Sequence, residues 1–336
     1  MSKNIYNAYG GVVAPHWRDY ARAYRHAPHD RFGAVDPPQN FVKNPGSDFT
    51  FVPKVGGVQV QYQHIVDSTA KRLAALDRPL TVYWSGGIDS TVVLIALIKQ
   101  GVQTIEVAMN EKSIIENGDF YRSYIQGKLK TVDPIDVPTK LLTTAENVIV
   151  TGELNDQLFG SDAMLRVIFS SGYDVLLGPL SEDVYAAAMC KANASISDAH
   201  VRLIYADILA SAATQNVPLR TVFDAMWWAN FAFKWQCVLT RMYMYAPISA
   251  TNSLTDAHRN RLHHFFGGTD FQQWACERIE PKILTRWGDY KITAKRYIYR
   301  FDGNEDYLIH GVKVVSLRDL GNGNRPTRIL SDMTVE

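Results

Sequence analysis

The sequence predicts an α/β fold with a parallel sheet. An apolar strand at 80–84 runs straight into a glycine turn and an apolar helix over 90–99. Gly101 suits the C-terminal end of that helix, and 104–108 reads as a second strand. Strand, helix and strand joined by short connections form a βαβ unit, and βαβ units make parallel sheets. A further buried strand is predicted over 147–151.

Each flank follows its own pattern. Ile65, Ala70, Leu73 and Leu76 fall at helical spacing and lead into the first strand. Residues 1–66 are rich in Pro, Gly, Asn and aromatics, as in Tyr9-Gly10-Gly11 and Asp36-Pro37-Pro38, and predict an irregular extension with a hairpin around 49–60. The main domain covers 67–320. Within it, 182–245 is rich in Ala, Leu, Met and Trp and reads as helical. Residues 296–301 and 307–317 read as two strands of a terminal hairpin turning at Asp302-Gly303-Asn304. Residues 321–336 form a loose tail, with Gly321-Asn322-Gly323-Asn324 at its start.

Composition excludes several function classes. The net charge is +1, which argues against a generally basic nucleic-acid binder or a polybasic membrane protein. Cys190, Cys237 and Cys276 lie far apart without a CxxC, so neither a zinc site nor a redox pair is legible. His263-His264 are adjacent rather than one helical turn apart, a poor metal pattern. The first residues lack the apolar core of a signal peptide, and no apolar run reaches membrane-spanning length. The expectation is a cytoplasmic protein.

The chemistry concentrates at Ser85-Gly86-Gly87-Ile88-Asp89-Ser90. Glycines let the backbone turn tightly and bring N–H groups close to a ligand. The following helix aims its unpaired N–H groups and positive dipole end at the same point. Ser85 and Ser90 add hydroxyls. Asp89 adds a carboxylate, which suits a phosphate site when a cation lies between. A nucleoside triphosphate with magnesium meets all of these requirements. The Walker A and GxGxxG motifs are both missing, so this is another kind of phosphate loop.

Strand, SGGxDS and helix in this order resemble the PP-loop of the ATP pyrophosphatases, whose domain is the adenine nucleotide alpha-hydrolase-like fold. The resemblance implies cleavage of ATP between its α- and β-phosphates. A second segment, Thr151-Gly152-Glu153-Leu154-Asn155-Asp156-Gln157-Leu158-Phe159-Gly160, looks like the asparagine synthetase pattern, in which a strand ends in Ser-Gly-Glu-Gly-x-Asp-Glu-Leu/Phe-Phe-Gly-Gly. Leu154, Gln157 and Ser161 depart from it. The resemblance assigns Asp89 and Asp156 to magnesium. It puts Glu153 near the activated carbonyl, able to take the proton of an attacking amine. Gly152 permits close backbone approach. The resemblance also implies a late lysine on the phosphates. Within the basic set Lys282, Arg286, Lys291, Lys295, Arg296 and Arg300, Lys291 is the first choice and Lys295, four residues on, the second. Val107, Ala108 and Met109 are the implied adenine contacts, and Asn117 and Tyr121 lie over the nucleotide. In the aromatic helix around Trp227 and Trp228, Asn230, Lys234 and Arg241 are polar candidates for substrate.

Glutamine-hydrolysing synthetases carry an N-terminal nucleophile domain that begins at a catalytic cysteine. Position 2 here is Ser2, and 1–66 is too short for that domain. The expected enzyme is an ATP-dependent, AMP-forming ligase. It adenylates a small carboxylate and transfers it to free ammonia, to ammonia from a separate glutaminase, or to an amine. The alternatives are a PP-loop enzyme modifying a nucleobase or tRNA, and a nucleotide-binding module with a retired active site.

Overall fold

The three central strands are buried along nearly their whole length, as strands covered on both faces of a sheet are, while the two edge strands are more exposed. In the computed structural model β1 (Leu80–Tyr83), β2 (Ile105–Ala108), β3 (Lys130–Val132), β4 (Val148–Thr151) and β5 (Leu262–His264) form one sheet in the order β3-β2-β1-β4-β5. Every pairing is parallel. Val82, Val107 and Val150 lie on one face, while Ala108, Ile149 and Leu262 cluster on the other with Tyr83 and Val132 packed against them. The structure describes residues 14–24, 30–33, 51–52, 60–134, 147–160, 163–236, 238–239, 260–277, 282–283 and 287–311.

The chain divides into two compact units. The sheet unit holds 55–155 and 241–336; the helical unit holds 1–54 and 156–240. The α/β class and the parallel sheet agree with the sequence expectation, and β3 and β5 are strands that it did not contain. No described helix is long and apolar enough to cross a membrane.

In the sheet unit, the Ile88–Lys99 helix is buried along nearly its whole length, matching its unbroken apolar run. Gly101 follows it at φ 69°, the left-handed position that ends helices. The Tyr62–Ala74 helix buries Tyr62, Ile65, Val66, Ala70 and Leu73 at helical spacing. It therefore begins before the expected boundary at 66.

The terminal hairpin is not formed where it is described. Residues 296–301 lie in the Ile292–Asp302 helix, and 307–310 in the Glu305–His310 helix. Ile292, Thr293, Ala294, Lys295, Tyr297 and Ile298 are all buried, so the first two turns of this helix are enclosed. Gly303 is left-handed at φ 68°, a helix stop here instead of a hairpin turn. Residues 312–317 and the tail lie outside the described residues.

Three helices of this unit share one polar clasp. Tyr297 Oη donates to Asp67 Oδ1 at 2.6 Å, and Lys99 Nζ lies 2.7 Å from the same oxygen and 3.2 Å from Tyr297 Oη. Burial, then the Asp67 carboxylate, raises the Tyr297 phenol well above its ordinary value. The folded chain thus keeps a proton that the unfolded chain loses near pH about 10. Stability is full below that pH and falls as pH rises above it. Tyr297→Phe is expected to cost about 1 kcal/mol near neutrality and to lessen the alkaline decline. Urea unfolding at neutral and alkaline pH measures both, and an unchanged alkaline slope contradicts the assignment.

The helical unit contains Pro15–Tyr24, Ala163–Ser171, Glu182–Ala192, Asp198–Thr214 and Val222–Trp228, the last continuing into a wider turn over Ala229–Phe233. The 1–66 segment is thus not wholly irregular. Trp17 and Tyr20, three apart, are buried, and Trp17 stacks on Phe233 with centroids 4.3 Å apart. Pro15 at the first helical position was the available signal. Buried Asp30 accepts from Ser211 Oγ at 3.0 Å, and the Arg31 guanidinium lies 4.2 Å from the Trp235 ring centroid. The expected hairpin at 49–60 lies almost wholly outside the described residues, as do Ser161, Cys237, Arg241 and Arg286.

Candidate functional site

Strand order reverses between β1 and β4: the chain winds outward through β2 and β3, then returns to the other side of β1. Ligands of open parallel sheets bind beyond the carboxyl ends at such a switch point. Ser85 follows the end of β1, and Gly152 follows the end of β4. Tyr83 and Thr151, the last residues of these two strands, are paired in register. The two motifs therefore emerge side by side.

The loop at 85–90 is shaped by its own hydroxyls. Ser90 Oγ accepts from the Ser85 N–H at 3.1 Å and lies 3.2 Å from both Ser85 Oγ and the Gly87 carbonyl oxygen. Gly86 is left-handed at φ 81°, and a Cβ there would run into the Ser113 carbonyl and stand 2.7 Å from Glu116 Cβ. The helix cap at Gly87 makes no side-chain hydrogen bond, so the first turn of a 12-residue helix presents its N–H groups without a capping side chain. Those N–H groups and the dipole suit an anion.

Gly152 closes the other side. A Cβ on it would lie 2.7 Å from the Ser90 nitrogen and 2.9 Å from the Asp89 carbonyl carbon. Only a bare backbone fits against the start of that helix. Glu153 and Leu154 form the turn that follows. Leu154 is left-handed at φ 77°, in the position where the asparagine synthetase pattern has glycine. Leu154 thus adopts a conformation that glycine adopts at least cost. Leu154 is buried, its Cδ1 close to Gly267, and that packing offsets the backbone cost.

Asp89 is the electrostatic centre. Lys291 Nζ lies 2.7 Å from Asp89 Oδ1 and 2.6 Å from Oδ2, and Asn155 Nδ2 donates to Oδ1 at 2.7 Å. The Lys291 side chain is 3% exposed and that of Asp89 20%. Lys291 caps the Ile292–Asp302 helix with φ 57°, and its N–H donates to the Lys282 carbonyl at 3.0 Å.

The structure thus brings together Ser85, Gly86, Gly87, Asp89, Ser90, Gly152 and Lys291. Ala108 lies beside the loop, in register with Tyr83 and accepting from the Trp84 N–H at 3.0 Å. Lys295 is buried, with Nζ on the Gly288 carbonyl, and Lys282 Nζ binds the Ala275 carbonyl at 2.6 Å. Arg296 and Arg300 are exposed. Val107 and Ala108 are fully buried strand residues, and the Met109 N–H is bonded to the Val132 carbonyl. Their side chains serve the core. Asn117 caps a turn by accepting from the Phe120 N–H at 3.2 Å, and half-buried Tyr121 follows that turn.

Asp156, Gln157 and Asn230 belong to the helical unit. Asn230 donates to the carbonyls of Asp156, at 2.8 Å, and Gly160, and accepts from Gln157 Nε2 at 3.3 Å. It braces this turn, and its amide is used up in doing so. Lys234 is half-buried in the same unit.

Several neighbours were not legible in sequence. Asn155 falls on the unconstrained position of the second motif. Glu116 has Oε1 3.9 Å from where a Gly87 Cβ would stand. Tyr307, expected in a strand, is hydrogen-bonded to the Asn117 side chain. Its phenol is raised by burial, then by the nearby Glu116, Asp89 and Asp302 carboxylates. His264 ends β5 in register with Thr151, its Nδ1 2.9 Å from Thr151 Oγ1.

No family model matches this chain, and no curated protein does. The geometry of the site therefore carries the functional reading.

These residues fit a magnesium nucleotide. Gly86 and Gly152 let the loop backbone pack closely against its neighbours, a Cβ at Gly87 would meet nothing nearer than 3.4 Å, and one carboxylate stands at the helix start. Among the described residues no three His, Cys, Asp or Glu side chains group closely enough to hold a metal. Magnesium needs no such cage, because it is held through one or two carboxylates, substrate phosphates and water.

Proposed function

We propose that the protein is an ATP-dependent carbon–nitrogen ligase of the asparagine-synthetase-like kind. It adenylates a carboxylate, releases pyrophosphate and transfers the acyl group to ammonia or an amine. One observation carries this reading: an anion cradle at the switch point, with the Gly152 backbone against Asp89–Ser90 and Lys291 on Asp89.

The backbone N–H groups at 86–90 and the hydroxyls of Ser85 and Ser90 bind the triphosphate. A carboxylate oxygen of the substrate attacks the α-phosphorus, and the bond to the bridging oxygen breaks. The negative charge left on pyrophosphate is met by the helix dipole and the Lys291 ammonium. Lys295, bound to the Gly288 carbonyl, steadies the segment that carries Lys291. The nitrogen nucleophile then attacks the acyl carbon, AMP leaves, and Glu153 accepts the nucleophile's proton. Magnesium, when bound, neutralises polyphosphate charge, and Asp89 is the carboxylate of this unit placed to hold it.

Gln157 favours a second reading, a nucleotide-binding module. Where the family pattern has an acid, this buried amide is bonded to Asn230. The test is release of pyrophosphate and AMP from ATP with a panel of carboxylic acids and ammonium, beside calorimetry with ATP. Acid-dependent release of both products is the expected result. Tight ATP binding without AMP formation supports the module and removes the ligase.

A further inference from the structure

A lysine meant only for phosphates has no need to rest on the aspartate of the phosphate loop. Here it does, with Nζ 2.6 and 2.7 Å from the two oxygens of Asp89. The arrangement is built in. Lys291 holds a left-handed backbone at φ 57°, a conformation that costs a residue other than glycine free energy. Its N–H is tied to the Lys282 carbonyl, and the helix it caps is clasped through Tyr297 to Asp67 and Lys99. Asn155 adds a further donor to Asp89. Both carboxylate oxygens are engaged, and the ammonium is almost wholly buried.

We propose that Lys291 is the internal counter-cation of Asp89 and makes metal binding at this carboxylate conditional on a polyphosphate. This rests on the reading of the loop as a magnesium nucleotide site. A divalent cation approaching Asp89 alone must compete for oxygens already paired with a buried ammonium, and the two cations repel at close range. A polyphosphate in the loop changes the balance. Its charges attract the Lys291 ammonium, which moves from Asp89 to phosphate oxygen, and the carboxylate turns to the metal. No covalent bond changes and no proton is transferred; two ion pairs exchange partners. The site thereby selects the metal–nucleotide complex over free metal.

The full chain is titrated with Mn2+ and followed by electron paramagnetic resonance, with and without α,β-methylene-ATP. Wild type, K291M, K291R and K291M/D89N are compared. Without the analogue, K291M is expected to bind Mn2+ at least about tenfold more tightly than wild type, the scale on which close charge pairs couple. K291R is expected to behave like wild type, and K291M/D89N to lose the gain. With the analogue, wild type binds Mn2+. If wild type shows that analogue-dependent binding but K291M gains nothing without it, the counter-cation role is overturned and the nucleotide site stands. A gain that persists in K291M/D89N overturns it as well, because the metal is then not on Asp89. If the analogue brings no Mn2+ to wild type, the nucleotide reading fails and takes this inference with it. Should circular dichroism find K291M unfolded, K291Q decides on the same terms.

Discussion

Gly152→Ala is expected to weaken nucleotide binding strongly in a protein that still folds. The new Cβ would stand 2.7 Å from the Ser90 nitrogen and 2.9 Å from the Asp89 carbonyl carbon, both backbone atoms that cannot swing aside. Relief requires β4's end and the loop helix to part. Overpacking of this kind costs about 1–3 kcal/mol, within reach of a chain this size, where total stability is about 5–15 kcal/mol. The functional loss is of similar size in free energy, because a displacement of about 1 Å can cost a factor of about 100 in rate. Gly101→Ala is the control. It has a left-handed φ of 69° with nothing within 4 Å of its Cβ, so it carries the conformational cost alone. That cost is about 1–2 kcal/mol. Calorimetry with ATP and thermal melting separate the two variants. Wild-type affinity in Gly152→Ala means that the cradle does not hold the nucleotide.

Asp89→Ala is expected to be the most destabilising polar substitution in the sheet unit. It leaves the Lys291 ammonium, 3% exposed, without its carboxylate. Breaking a buried pair from one side costs about 3–5 kcal/mol, and the partial exposure of Asp89 puts the expectation at the lower end of that range. Asp89→Ala with Lys291→Met removes both charges and is expected to recover part of the loss, since no unpaired ion remains. Denaturant unfolding of the two single variants and the double variant closes the cycle. Additive losses would show that the two side chains do not interact. Neither the double variant nor Asp89→Ala is expected to release pyrophosphate, because stability can return without the site.

The parts of the fold legible in sequence are those governed by local pattern. Leu80–Tyr83 and Ile105–Ala108 are short apolar runs bounded by turn residues, and the helix between them has its stop at Gly101. The region after 290 was misread for an identifiable reason. Tyr297, Ile298 and Tyr299 are strand formers, and Asp302-Gly303-Asn304 has the composition of a hairpin turn. Tertiary burial of the helix's first two turns overrides that propensity. The β5 strand, only three residues long with two histidines, has too little pattern to be seen.

The site divides along the same line. Gly86, Gly87 and Gly152 were legible because each follows closely on the end of an apolar strand. Lys291 was legible only as one basic residue among several, and its choice over Lys282 or Lys295 depends on which carbonyl or carboxylate each ammonium reaches. Asn155, Glu116 and Tyr307 had no local signal at all, since each acts on a residue distant in the chain.

By itself, the sequence determined the glycine turn at 85–90 and the parallel βαβ start, because each depends on neighbours close in the chain. Only the tertiary structure decided that β1 and β4 are adjacent, that Lys291 rests on Asp89, and that the chain beyond 290 is helical. Those outcomes follow from packing and ion pairing between segments far apart in sequence, where no spacing rule operates.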